Sequence, residues 1–352
     1  MSEEKPEEVI SWHDMEEPGF SLEGLNWHQP GGILRRIPEK SFVSARVNAL
    51  ADNTAGVMLR FRSDTTLVKI EVKLKPWDET FNWHMPQSGS AGFDLYIGSG
   101  LTKIFAGSTR CAFGSKEYEM LMFKTDQGGV MREYTLNFPL YSGVKSLKIG
   151  LSENAVIQPP TPWRDPRPVV VYGTSIQQGG CASRPGMCHT NIMSRMLDRP
   201  FLNLGFSGAG NGEPEMAGLL AEIPDPAMYV IDYDANAGAL RLRETLPPFI
   251  DIIREKHPEV PILLVSRLPM KNEFLTPTAY IPDRQKLTEI HLNELARRRK
   301  AGDRNIHFLD GSTLYGPDPS ECTVDGTHAT DLGMYFIAKN MGPVIERILC
   351  WR

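Results

Sequence analysis

Two unlike rhythms divide this 352-residue chain. They predict an antiparallel β-sandwich or jelly roll followed by an α/β domain whose five parallel strands are covered by helices on both faces. Three observations carry that expectation: period-two alternation in the first half, compact apolar runs alternating with helical periodicity in the second, and a proline-dense stretch between them.

In the first half, Ser41–Val47, Gly56–Arg62, Leu67–Leu74, Phe93–Ile97 and Ser146–Gly150 alternate apolar with polar side chains. Such alternation marks strands with one buried face, and many short strands broken by turn residues suggest a sandwich. The segment 158–168 holds five prolines; proline continues neither a helix nor a central strand, so a stiff linker is expected. Beyond it, Val169–Tyr172, Phe201–Leu204, Ala227–Asp232, Ile262–Ser266 and Ile306–Leu309 read as buried strands. Met187–Leu197, Glu213–Glu222, Leu240–Lys256 and Asp283–Arg299 carry apolar residues at three- and four-residue spacing and read as helices between them. Alternating strand and helix implies a parallel sheet. The expected division is a tail over 1–18, a sandwich over 19–157, the linker over 158–168 and the α/β domain over 169–352.

Composition narrows the function classes. Thirty-eight Lys and Arg stand against 43 Asp and Glu, a formal charge of -5 without a dense block of either sign. A nucleic-acid partner normally requires a basic stripe and is not expected. No apolar run approaches the roughly 18 residues of a membrane span, so no membrane partner is expected. The N-terminus, Met1 to Glu8, is acidic and lacks a secretion signal, which leads to a cytoplasmic expectation. Cys111, Cys181, Cys188, Cys322 and Cys350 are odd in number and scattered without CxxC spacing. They fit reduced packing thiols, with no metal site and no cofactor expected.

The polar residues at strand ends point to chemistry. Ligand sites in open α/β sheets form outside the carboxyl ends of the strands. Ser175 follows the first strand, Gly208 and Asn211 the second, Asn236 the third, and Asp325 with His328 the fifth. A serine hydroxyl attacks an acyl carbon once a base takes its proton. His328 is the candidate base, and Asp325, three residues earlier, the carboxylate that holds its tautomer. The N–H groups of Ser175 and Gly208 and the amide of Asn236 would make a three-donor oxyanion hole. An amphipathic helix from Asp331, with Leu332, Tyr335, Phe336 and Ile337, would seat the Asp-x-x-His loop. The remaining histidines, His13, His28, His84, His189, His257, His291 and His307, lack an acid at comparable spacing and read as surface or packing residues.

These blocks resemble those of the SGNH hydrolases, the GDSL lipase and esterase family: Gly173-Thr174-Ser175, Asn203 to Gly208, Asn236, and Asp325 to His328. Thr174 stands where the family often has Asp, and the third block is Asp234-Ala235-Asn236 in place of Gly-x-Asn-Asp. The resemblance implies a flavodoxin-like three-layer α/β/α domain and cofactor-free Ser-His-Asp acyl chemistry. Gly92-Phe93-Asp94-Leu95-Tyr96 and the loop Gln178–Met187 resemble the subgroup with an N-terminal GxDLY β-sandwich.

The expected substrate is a small-molecule or oligosaccharide ester, with a short acyl group such as acetyl on a carbohydrate or other polar molecule. Trp77 and Trp83 are candidates for stacking on a sugar ring or an aromatic acyl group, and Arg184 and Arg267 for binding a carboxylate or polyol. Acyl transfer to an alcohol uses the same residues, and a non-catalytic carbohydrate-binding protein is the reading from another class. Acyl length, alcohol portion and oligomeric state are left open.

Overall fold

The computed structural model describes residues 9–39, 42–75, 83–112 and 114–350. Fifteen strands and nine α-helices are assigned among them. In the first half these are β1 (Ile10–Asp14), β2 (Ser21–Glu23), α1 (Ala45–Leu50), β3 (Met58–Ser63), β4 (Leu67–Leu74), α2 (Gln87–Ser90), β5 (Asp94–Ile97), β6 (Ile104–Ser108), β7 (Glu117–Lys124), β8 (Arg132–Asn137), β9 (Val144–Ser152) and β10 (Ile157–Gln158). They build two antiparallel sheets, β1-β9-β4-β7 and β10-β3-β8-β5-β6, with β2 paired to β3. Strand β4 shows why: Val68, Ile70, Val72 and Leu74 point inward while Lys69, Glu71 and Lys73 face outward. The inward faces close on Leu59, Phe61, Phe93, Leu95, Tyr134 and Ile149.

The second half runs β11 (Val169–Gly173), α3 (Ser175–Gln178), α4 (His189–Leu197), β12 (Phe201–Gly205), α5 (Pro214–Ala221), β13 (Met228–Asp232), α6 (Asp234–Lys256), β14 (Ile262–Val265), α7 (Lys271–Leu275), α8 (Pro277–Lys300), β15 (Ile306–Leu309) and α9 (Asp331–Cys350). All strands are parallel in the order β12-β11-β13-β14-β15. One face packs on α5, α6 and α8, the other on α4 and α9, so two cores flank the sheet. The expected three-layer domain with a preceding sandwich is what forms.

Four expectations are corrected. Residues 10–14, assigned to a tail, pair with β9 and belong to the sandwich. The expected strand Ser41–Val47, of which Ser41 lies outside the described residues, is not formed over 42–47: Ser44 caps α1, its hydroxyl accepting from the Val47 N–H at 3.2 Å. Helix α1 also leaves the sandwich, because Ile37, Val43, Val47 and Leu50 join the core that holds Tyr172, Leu204 and Phe206. In α9 the buried face is Met334, Ile337, Ala338, Met341 and Ile345, and Leu332 and Tyr335 face outward.

The halves are clasped together. The buried Arg36 guanidinium donates to the carbonyls of Gly205 (2.6 Å) and Asn203 (3.2 Å) and lies over the Phe206 ring. The proline-rich segment is held on both sides. The Trp163 indole donates to Glu23 (2.7 Å) beneath Arg60, and Asp165 pairs with Arg199.

Candidate active site

Strand β11 delivers Ser175 to the carboxyl edge of the sheet through a turn with little freedom. A Cβ on Gly173 would sit 2.2 Å from the Asp232 carbonyl, so a larger residue does not fit there. Thr174 caps α3 in a capping box with Gln177, which fixes Ser175 as the first helical residue. The Gln177 amide donates to the buried Asp232 carboxyl at 2.6 Å. Burial, and then the neighbouring Asp234 charge, push Asp232 well above the usual carboxylate range. The sandwich supports the turn from outside: the Tyr141 hydroxyl donates to the Ser175 carbonyl (3.1 Å), and Gln178 donates to the Leu140 carbonyl.

The loop before α9 brings the acid and the imidazole. One Asp325 oxygen accepts from the backbone N–H groups of Thr327 (2.9 Å) and His328 (2.8 Å), and the other lies 2.8 Å from His328 Nδ1. Burial opposes ionisation of Asp325, but these hydrogen bonds and the imidazole outweigh it and hold the carboxyl down at about 2. His328 Nε2 lies 2.8 Å from Ser175 Oγ. A carboxylate, an imidazole and a hydroxyl thus stand in one hydrogen-bonded line, the geometry needed to move a serine proton during acyl attack.

Gly208 follows β12 and Asn236 follows β13, the two strands that flank β11. Gly208 has φ +66, which suits glycine, and its missing side chain faces open space. Asn236 sits in the first turn of α6, detached from the remainder by non-helical Gly238 (φ 66, ψ 174). Its amide nitrogen is buried without a hydrogen-bond partner among the described residues. A donor so placed can meet developing negative charge.

The substrate-binding candidates fare differently. Arg184 is committed to the protein: it donates to the Asp94 carboxylate (2.7 Å) and the Tyr96 hydroxyl (2.6 Å), with its guanidinium over Phe105. Asp94, fully buried, also accepts from Asn137 and the Gly186 N–H. The acidic and aromatic positions of the Gly-Phe-Asp-Leu-Tyr block are therefore the dock for the Ser183–Met187 loop. Arg267 is likewise paired with Glu273 at 3.0 Å. Trp83 is 73% exposed and tilts against His84, and Trp77 lies outside the described residues.

One residue was missed. His84, read from sequence as surface or packing, lies with its ring centroid 5.0 Å from that of His328 and its Nε2 4.0 Å from Asp325. Both its ring nitrogens are buried without a hydrogen-bond partner among the described residues. Burial, and secondarily His328, lower its pKa. No sequence signal marks it, since its acid neighbour comes from the other half of the chain. Cys181 completes a cluster absent from the sequence spacing: its sulfur and one nitrogen of each of these two imidazoles lie within 4.8 Å of one another. Burial, aided by the Asp325 charge, pushes its thiol up to about 12, so it is no nucleophile near neutrality.

Residues 166–346 match the family described as GDSL-like Lipase/Acylhydrolase, and residues 10–157 match the N-terminus of Esterase_SGNH_hydro-type. No curated protein matches. The chain is similar to a solved structure described as a GDSL-like lipase from Bacteroides ovatus ATCC 8483, at 29% identity and TM-score 0.87 over 97% of this chain and 98% of that one. It is similar in fold to the salicylyl-acyltransferase SsfX3 from a tetracycline biosynthetic pathway (20% identity, TM-score 0.77, 94% and 95% covered). The same holds for a family two carbohydrate esterase from Cellvibrio japonicus (12%, 0.62, 97% and 99%). Among the described residues, no helix is long and apolar enough to cross a membrane.

Proposed function

The chain belongs to the GDSL-like lipase/acylhydrolase family and is an ester hydrolase, and on that premise we propose that it cleaves short acyl esters of polar molecules through an acyl-enzyme on Ser175. The observation that carries this reading is the continuous line Asp325–His328–Ser175, each link 2.8 Å long.

His328 Nε2 takes the Ser175 proton as Oγ attacks the ester carbonyl, and Asp325 stabilises the imidazolium that forms. The resulting oxyanion is met by the N–H groups of Ser175 and Gly208 and by the Asn236 amide. His328 then hands the proton to the departing alkoxide, leaving the acyl group on Oγ. Water, deprotonated by the same imidazole, releases the acid and restores the serine.

For the alcohol portion we propose an acetylated carbohydrate. Trp83 supports this, because an exposed indole beside a buried polar cluster offers a sugar ring a flat apolar face. The two-domain likeness to family two carbohydrate esterases agrees with it at the level of fold. Turnover of p-nitrophenyl acetate and of acetylated xylose by the purified protein is the test. Ser175→Ala should lower kcat/KM by at least about three orders of magnitude and abolish labelling by a fluorophosphonate. Undiminished turnover in that variant would remove Ser175 from the chemistry. Turnover of the nitrophenyl ester without release of acetate from the sugar would remove the carbohydrate assignment.

A further inference from the structure

We infer that His84, Cys181 and His328 form a capture site for a divalent transition ion of the zinc type, and that its occupation arrests the enzyme. The ligand set is two imidazoles and one thiol, the donors zinc prefers. The three donor atoms lie within 4.8 Å of one another. Around a tetrahedral ion with Zn–N near 2.1 Å and Zn–S near 2.3 Å, such atoms stand roughly 3.3–3.8 Å apart, so side-chain torsions need to close the cluster by about 1 Å. His84 is the independent sign of a ligand. Its side chain is 10% exposed and neither ring nitrogen has a hydrogen-bond partner among the described residues, Asp325 standing 4.0 Å from Nε2, a costly state for a buried polar group unless something else satisfies it. Cys181 is held at φ +76, a conformation uncommon for a residue with a side chain.

Binding is a balanced exchange. The ion takes a lone pair from one nitrogen of each imidazole and displaces the thiol proton of Cys181 to solvent. Three protein ligands leave a fourth position for water, as in open zinc sites. The arrest follows from His328. If its Nε2 binds the ion, no lone pair remains for the Ser175 proton; if Nδ1 binds, the Asp325 contact is lost. Binding stands on the cluster alone, whereas the arrest rests on the esterase reading given above.

The test separates the two. Ser175→Ala protein, which keeps all three ligands, is titrated with Co2+ as a spectroscopic probe. About one equivalent should bind with a thiolate-to-cobalt charge-transfer absorption that Zn2+ displaces. Adding Cys181→Ser should abolish the absorption, adding His84→Ala should weaken binding at least about tenfold, and adding Cys350→Ser should change neither. In the unaltered protein, Zn2+ should inhibit p-nitrophenyl acetate turnover and a chelator should restore it, a readout needing no variant. No cobalt absorption in Ser175→Ala, or an absorption that survives Cys181→Ser, overturns the site. Cobalt binding without inhibition would instead count against His328 as the base.

Discussion

A buried hydrogen-bond donor without a partner is expensive, and Asn236 carries one that has none among the described residues. At the residue scale this cost makes sense if the donor is satisfied while charge builds on a substrate oxygen, which predicts a change in rate more than in binding. Asn236→Ala should lower kcat by about 10²- to 10³-fold with KM nearly unchanged; steady-state kinetics on p-nitrophenyl acetate decide, and a loss confined to KM would contradict the assignment. That Ser175, Asp325 and His328 come together was readable in the sequence, because each sits at a strand end or in a short spacing that local structure preserves. His84, Arg184 and Arg267 were not. Arg184 meets Asp94 across 90 positions, and His84 meets Asp325 across a domain seam. Arg267 finds Glu273 only because the chain turns back through α7.

Among elements, β5 matters beyond its four residues. Burial pushes its Asp94 carboxyl up, and Arg184 with the other donors offsets that, so the pair holds a sandwich strand to the loop after Ser175. Removing one partner of a buried pair leaves the other uncompensated. Asp94→Ala should cost about 3 kcal/mol and lower the melting temperature by roughly 6–12 °C, read by calorimetry; an unchanged melting curve would deny the strand this role. Elements with strong periodicity, β4 and the strands of the parallel sheet among them, were visible before the fold was known. Helix α1 was not, because Ser44 can end an alternating run or cap a helix, and packing of Val47 and Leu50 on the α/β core decides between them. The early start of α6 was hidden by Gly238, whose backbone leaves the helix.

For the whole molecule, acidity is the sensitive axis. His189 is 1% exposed, and burial holds its imidazole down at about 4 against an ordinary 6.5. Above pH 6.5 both folded and unfolded chains are neutral there. As pH falls from 6.5 towards 4 the unfolded chain takes the proton first, so stability is lost across that window, about 3 kcal/mol in all. Urea unfolding at pH 7 and pH 4.5 should show this decline, and His189→Asn should flatten it; parallel pH profiles for the two proteins would refute the origin. The division into a sandwich and a parallel-sheet domain could be read from rhythm alone. That Ile37, Val43, Val47, Leu50 and Ala51 join the second core could not, since nothing in a local pattern says which of two apolar surfaces they will meet.

The Arg36 clasp reaches further than the seam it closes. Strand β12 is the outer strand of its sheet, and the carbonyls of Asn203 and Gly205 point away from β11 into that guanidinium. A bare row of such carbonyls is a template on which another chain can zip up and begin an aggregate. Arg36→Ala should therefore shorten the time to turbidity on gentle heating, followed by light scattering, before any loss of activity is detectable in the remaining soluble enzyme.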